Sequence, residues 1–201
     1  MIVYVETNFL GELIRKQEQH DSCVELLELA EQSAIDLRIP AYSFVEIGDV
    51  VARLRRDYED LIGNVERKLN NFRRGETTRR FVDEVNRSRL ALVAIMNEED
   101  ENLWSVRERV RRVATQLPLG AAASKVENHI LAPAEILREK LGDRVVLASI
   151  RADLKEHTSE SIFITRDGDL RTRDIRSILR RHRCRVFSSY RDAAGFLRKR
   201  M

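Results

Sequence analysis

With 201 residues, 43% of them hydrophobic and 34% charged, the chain has the makeup of a globular protein large enough for one sizeable core. Eight glycines and three prolines exclude long disordered or all-β stretches, and two cysteines as far apart as Cys23 and Cys184 exclude a zinc ribbon or disulfide framework. The net charge of +3 hides an asymmetry: Arg171–Met201 carries eleven Lys/Arg against two Asp/Glu, about +9, leaving about −6 for the rest.

In chain order, Ile2–Val5 is predicted to be a short buried strand, rich in valine and tyrosine. Glu6 breaks this apolar run too early for a signal-peptide core, and no later segment nears the ~18 apolar residues of a membrane span, so a cytoplasmic location is expected. Thr7 or Asn8 can cap a helix over Phe9–Arg15, and Asp21 or Ser22 a second one carrying Cys23, Leu26, Leu27 and Ala30. Ile35–Ile39 alternates as a strand does and is closed by Pro40, after which Ser43 can cap a helix of Val45, Ile47, Val50, Val51 and Leu54.

The stretch Arg55–Leu131 changes character. It is rich in Arg and Glu, lacks strand-like alternation and predicts two or more long amphipathic helices, ended by Leu117-Pro-Leu-Gly120. Beyond it alternation returns, with helices expected over Arg144–Leu154, Ile175–Arg181 and Asp192–Lys199 and strands over Ser161–Thr165 and Cys184–Phe187. Strands separated by helices imply an α/β fold with a mostly parallel sheet.

Two of these strands end in acid. Ile2–Val5 runs into Glu6, and Ser161–Thr165 runs through Arg166 into Asp167, with Asp169 two residues on. Ligands of open α/β sheets bind beyond the carboxyl ends of the strands, so adjacent strands would bring Glu6 and Asp167 together there. Two carboxylates ~4 Å apart repel by about 4 kcal/mol at an effective dielectric near 20, and a cation relieves that repulsion. Neither cysteine nor histidine accompanies the acids, which favours a hard ion such as Mg2+ or Mn2+. Asp143 before Val145–Ala148 also has the place of a helix cap, and Glu46 that of an acid one turn into a helix. His20, His129, His157 and His182 fall outside the acid-bearing segments and are expected to be structural or exposed.

Four segments in order, Val3-Tyr-Val-Glu-Thr-Asn-Phe-Leu10, Ile39-Pro-Ala-Tyr-Ser-Phe-Val-Glu46, Asp143-Arg-Val-Val-Leu-Ala-Ser-Ile150 and Ile162-Phe-Ile-Thr-Arg-Asp-Gly-Asp169, together resemble the PIN-domain pattern. In that family one acid ends the first strand and a second lies in the helix after a Pro-containing strand. A third opens a late helix, and a fourth follows the next strand. The resemblance covers about residues 1–55 and 132–190. It implies a parallel sheet of about five strands flanked by helices, one PIN-like domain over residues 1–201 with 55–131 as a helical insertion. It also implies a metal-dependent endoribonuclease that hydrolyses RNA phosphodiester bonds.

Carried over residue by residue, Glu6, Glu46, Asp143 and Asp167 would be the catalytic and metal-binding set, holding Mg2+ or Mn2+, with Asp169 as a further, outer-shell acid of the metal site. Thr7, Asn8 and Thr165 would be auxiliary, and Arg166, Arg171 and Arg173 would meet the RNA. Bacterial relatives are often toxins, which leaves room for an antitoxin-like partner, and the insertion leaves room for a homodimer. Two departures stand out. The family's first acid is usually Asp, and Glu6 sets its carboxylate roughly 1.5 Å further from the backbone. The middle region is also longer than compact members need, so a lid, a dimerisation arm and a partner platform all stay open. The alternative function is an inactive PIN-like module for RNA binding or protein interaction. A helical interaction protein built on the insertion is a further one, and a response-regulator receiver fits poorly because only one acid follows the first strand.

Overall fold

The computed structural model describes residues 1–72, 75, 78, 81–119 and 141–201. They fall into two compact units, one of Met1–Ile47 with Val106–Met201 and the other of Gly48–Ser105. The expected insertion, 55–131, overlaps the second unit, and its last twelve positions, His129 among them, lie outside the described residues.

The first unit is built on five parallel strands in the order β3-β2-β1-β4-β5: β1 Ile2–Tyr4, β2 Asp36–Pro40, β3 Thr115–Leu117, β4 Ser161–Ile164 and β5 Cys184–Phe187. Among the described residues the α-helices are α1 Thr7–Arg15, α2 His20–Glu31, α3 Ala41–Phe72, α4 Val82–Val113, α5 Leu141–Glu156, α6 Arg173–Arg180 and α7 Tyr190–Arg198. This is an α/β architecture with helices on both faces of the sheet. Every residue of β1 and β4 is buried, as a central parallel strand covered on both sides requires.

Alternation along the strands sorts side chains between the two faces. Ile2, Tyr4 and Phe163 join Val146, Ile150 and Leu154 of α5 and Ile175 and Leu179 of α6 in one core. The opposite face is covered by α1, α2 and α7, with Phe9 against Tyr190 at 5.7 Å between ring centres. Tyr190 is fully buried there, so it is no surface for stacking bases. Both cysteines are buried free thiols, and burial pushes Cys184 up to about 11.

Several expected boundaries move, each for a local reason. The cap of α1 is Glu6 itself, which accepts from the Asn8 amide, and neither Thr7 nor Asn8 has that role. Ahead of α2, Glu12 Oε2 accepts from the Gln19 amide at 2.9 Å, so the helix starts at His20 and needs no cap from Asp21 or Ser22. After β2, α3 begins directly at Ala41, which places Ser43 inside the first turn and fully buried instead of at the cap. Thr172 caps α6 and Ser189 caps α7, each before the expected start. The largest difference is β3, which lies inside the stretch expected to be helical. Its three residues bury only Leu117, leaving no alternation to detect.

The second unit is made of parts of α3 and α4, which are each 32 residues long and match the long helices expected. Their charged faces pair: Arg55 with Glu59 at 3.0 Å and Asp100 at 2.5 Å, and Arg89 with Glu66 at 3.1 Å. Among the described residues no helix is long and apolar enough to cross a membrane.

Candidate metal centre

Strand order creates the site. From β1 the chain moves through β2 to β3 on one side, then returns to place β4 on the other side of β1. The boundary between β1 and β4 is therefore the topological switch point, where the loops leaving the two strands diverge and open a crevice. The register Tyr4↔Phe163, continued by two residues, sets Glu6 opposite Thr165.

The Thr165–Arg171 loop is shaped by its own hydrogen bonds. Thr165 Oγ1 accepts from the Asp167 amide at 3.0 Å, and Asp167 Oδ1 accepts from the Asp169 amide at 2.8 Å. Arg171 clamps the same loop from outside, donating from Nε to the Asp167 carbonyl at 3.0 Å and from a terminal nitrogen to the Arg166 carbonyl at 3.1 Å. From across the crevice, α5 supplies Asp143 in its first turn, 8% exposed.

Asp143, Asp167 and Asp169 each present one carboxylate oxygen, and these three atoms lie within 4.8 Å of one another. At that separation each pair of charges repels by about 3 kcal/mol at an effective dielectric near 20. Arg166 and Arg171 flank the cluster, yet their identified bonds go to Glu12 and Glu18 and to backbone carbonyls respectively. The group could bind a metal ion.

Compared with protein-family models, with curated proteins and with solved structures, the chain matches none. The site rests on its own geometry.

The other two expected metal acids stand beside this group but are not part of it. Glu6 is 4% exposed, and its Oε2 caps α1 through the Asn8 amide at 2.7 Å. Its Oε1 is buried with no hydrogen-bond partner. Burial pushes the carboxyl up to about 7 against the pull of the Asn8 and Thr165 bonds, and the Glu46 charge adds to the rise. Glu46, one turn into α3, accepts a hydrogen bond from Thr7 Oγ1. Its Oε1 stands 3.1 Å from where a side chain on Gly142 would begin, and the Tyr42 ring stands at 3.0 Å. A side chain at 142 would have to push both aside by a few tenths of an ångström, and this close packing ties Glu46 to the start of α5 and so to Asp143.

The auxiliary residues thus have definite places: Thr7 on Glu46, the Asn8 backbone on Glu6 and Thr165 under Asp167. Arg166 is paired at 2.5 Å with Glu12, which is 1% exposed. Arg173 is exposed at the start of α6. Glu12 carries no motif in the sequence. Its one signal is position, three residues after buried Phe9 and so on the buried side of α1. Gly142 was equally silent, since nothing local shows that Tyr42 and Glu46 press against it.

Proposed function

We propose that the chain is a PIN-like nuclease, a Mg2+- or Mn2+-dependent endoribonuclease acting at the Asp143–Asp167–Asp169 group. The observation that carries this reading is the convergence of three carboxylates from two separate segments, the start of α5 and the loop after β4, at the switch point of a parallel sheet. Buried Glu6, with one oxygen lacking a partner, supports it.

The donor set fits a hard divalent cation, because all three groups offer carboxylate oxygen. Among the described residues the histidines are engaged elsewhere or distant in sequence, His20 on the Glu12 carbonyl and His157 beside Arg38 and Asp153. Asp143, Asp167 and Asp169 would hold the ion. When bound, such an ion supplies Lewis acidity, easing deprotonation of an attacking water and stabilising charge on the leaving oxygen. The chain's own residues fix the geometry: Thr165 and Arg171 set the loop carrying Asp167 and Asp169, and Thr7 holds Glu46 against the turn before Asp143. Glu12 keeps Arg166 extended at the rim, where its remaining N–H groups can meet a phosphate.

The test is cleavage of a single-stranded RNA with Mn2+ present. Asp167→Asn should lower the rate at least about 100-fold, since even residues that merely orient metal ligands cost up to that much. Equal rates for wild type and variant would remove the assignment. An RNA-binding module without catalysis has one observation in its favour, that Glu6 directs an oxygen to capping α1 and lies outside the close carboxylate group. Wild-type protein that binds RNA but leaves it intact across divalent metals would establish that reading instead.

A further inference from the structure

Among the described residues, the arginines at positions 38, 55, 89, 109, 111, 166, 198 and 200 pair with carboxylates. One face departs from this habit. Arg171, Arg173, Arg176, Ser177, Arg180 and Arg181 line an open depression of about 680 Å3. Arg173, Arg176, Ser177 and Arg180 fall at i, i+3, i+4 and i+7 of α6, one side of the helix, while Ile175 and Leu179 on the other side are buried in the core. Among the described residues, Arg173, Arg176, Arg180 and Arg181 have no ion pair and no side-chain hydrogen bond, and Arg176 Nε is buried without a partner. Guanidinium groups gathered without counter-charge repel one another, and a polyanion is the ligand that relieves them.

Three features narrow the class of polyanion. The lining contains no apolar side chain, whereas the core of a protein interface needs apolar or aromatic anchors. From Arg173 to Arg180 the helix rises about 10 Å, which spans about three nucleotides of a stacked strand. Arg171 belongs both to the depression and to the loop of Asp167, so a strand lying on α6 continues toward the carboxylates. We propose that the arginine face of α6 is an anchor for the phosphate backbone of a single nucleic-acid strand, separate from the acidic group and filled without metal. The anchor rests on the nucleic-acid reading above but not on catalysis.

The experiment is fluorescence anisotropy of a short labelled single-stranded RNA with a metal chelator present, repeated over a range of salt. Each lost phosphate contact should reduce the slope of log affinity against log salt by about 0.7, so Arg173→Gln/Arg176→Gln/Arg180→Gln should flatten it by about 2. Arg173→Gln/Arg180→Gln alters only exposed positions and should flatten it by about 1.4, which guards against a folding defect in the triple variant. Unchanged slopes in both variants would overturn the anchor. So would displacement of the RNA by polyglutamate at equal charge concentration, which would mark an acidic protein as the occupant. Mn2+ uptake and cleavage are read separately: their loss with the slopes as expected removes the nuclease and leaves the anchor, and the reverse pattern does the opposite.

Discussion

Glu6 is the residue where burial and charge conflict most. Its carboxyl, ordinarily at 4.5, is pushed up to about 7 by desolvation, so between those values the folded metal-free chain keeps a proton that the unfolded chain has released. The unfolded state binds fewer protons there, and stability therefore falls as pH rises through the window, by up to about 3 kcal/mol. Glu6→Gln removes the titrating group while its amide oxygen can still cap α1. In chelator, urea unfolding at pH 5 and pH 8 should show the wild type losing stability relative to Glu6→Gln by about that amount. Parallel pH profiles would contradict the burial account. Much of this site was legible at the residue scale, because Glu6, Asp167 and Asp169 follow strands and Asp143 opens a helix. Glu12 was not, since its charge partner, Arg166, arrives from 154 residues away.

Among the elements, β1, β2 and α5 are joined by one polar network that no local pattern announces. Arg38 on β2, 9% exposed, donates to both oxygens of Asp153 on α5 at 2.8 and 2.7 Å, and to Asp36 at 2.9 Å through Nε. Tyr4 on β1 donates to Asp153 at 2.6 Å, and burial together with that carboxylate holds its hydroxyl well above the usual range. Asp153→Asn removes the charge that faces Arg38 and should cost about 3 kcal/mol, the lower end for breaking a buried pair, measured as a shift in the urea midpoint at constant slope. A change under about 0.5 kcal/mol, typical of surface positions, would show the network to be dispensable. Helices were the easier elements to foresee: the long amphipathic pair and α5 each repeat their apolar positions over many turns. β3 buries only one of its three residues, which is why it escaped notice while β1 and β4, buried throughout, did not. Caps failed for a related reason. Ser43 has the chemistry of a cap, but Pro40 ends the β2 ladder and the helix begins before Ser43 is reached.

For the whole molecule, sequence alternation established the parallel α/β character, but the order of strands is a matter of tertiary packing. Only the structure places β4 beside β1, and that adjacency turns two separate strand ends into the rim of one crevice. Three of the five acids expected to hold metal, Asp143, Asp167 and Asp169, converge there, and Glu6 and Glu46 stand alongside, bonded to Asn8 and Thr7. The basic end of the chain has its own place in the design, since α6 gathers arginines on its solvent face and continues from the acid-bearing loop.

The central claim is that these acids form one cation site, and calorimetric titration of Mn2+ into the metal-free protein tests it most directly. Wild type should take up Mn2+ saturably, and Asp143→Asn/Asp167→Asn, with its fold verified by circular dichroism, should lose that uptake. Undiminished binding by the double variant, or no saturable uptake by the wild type, would contradict it.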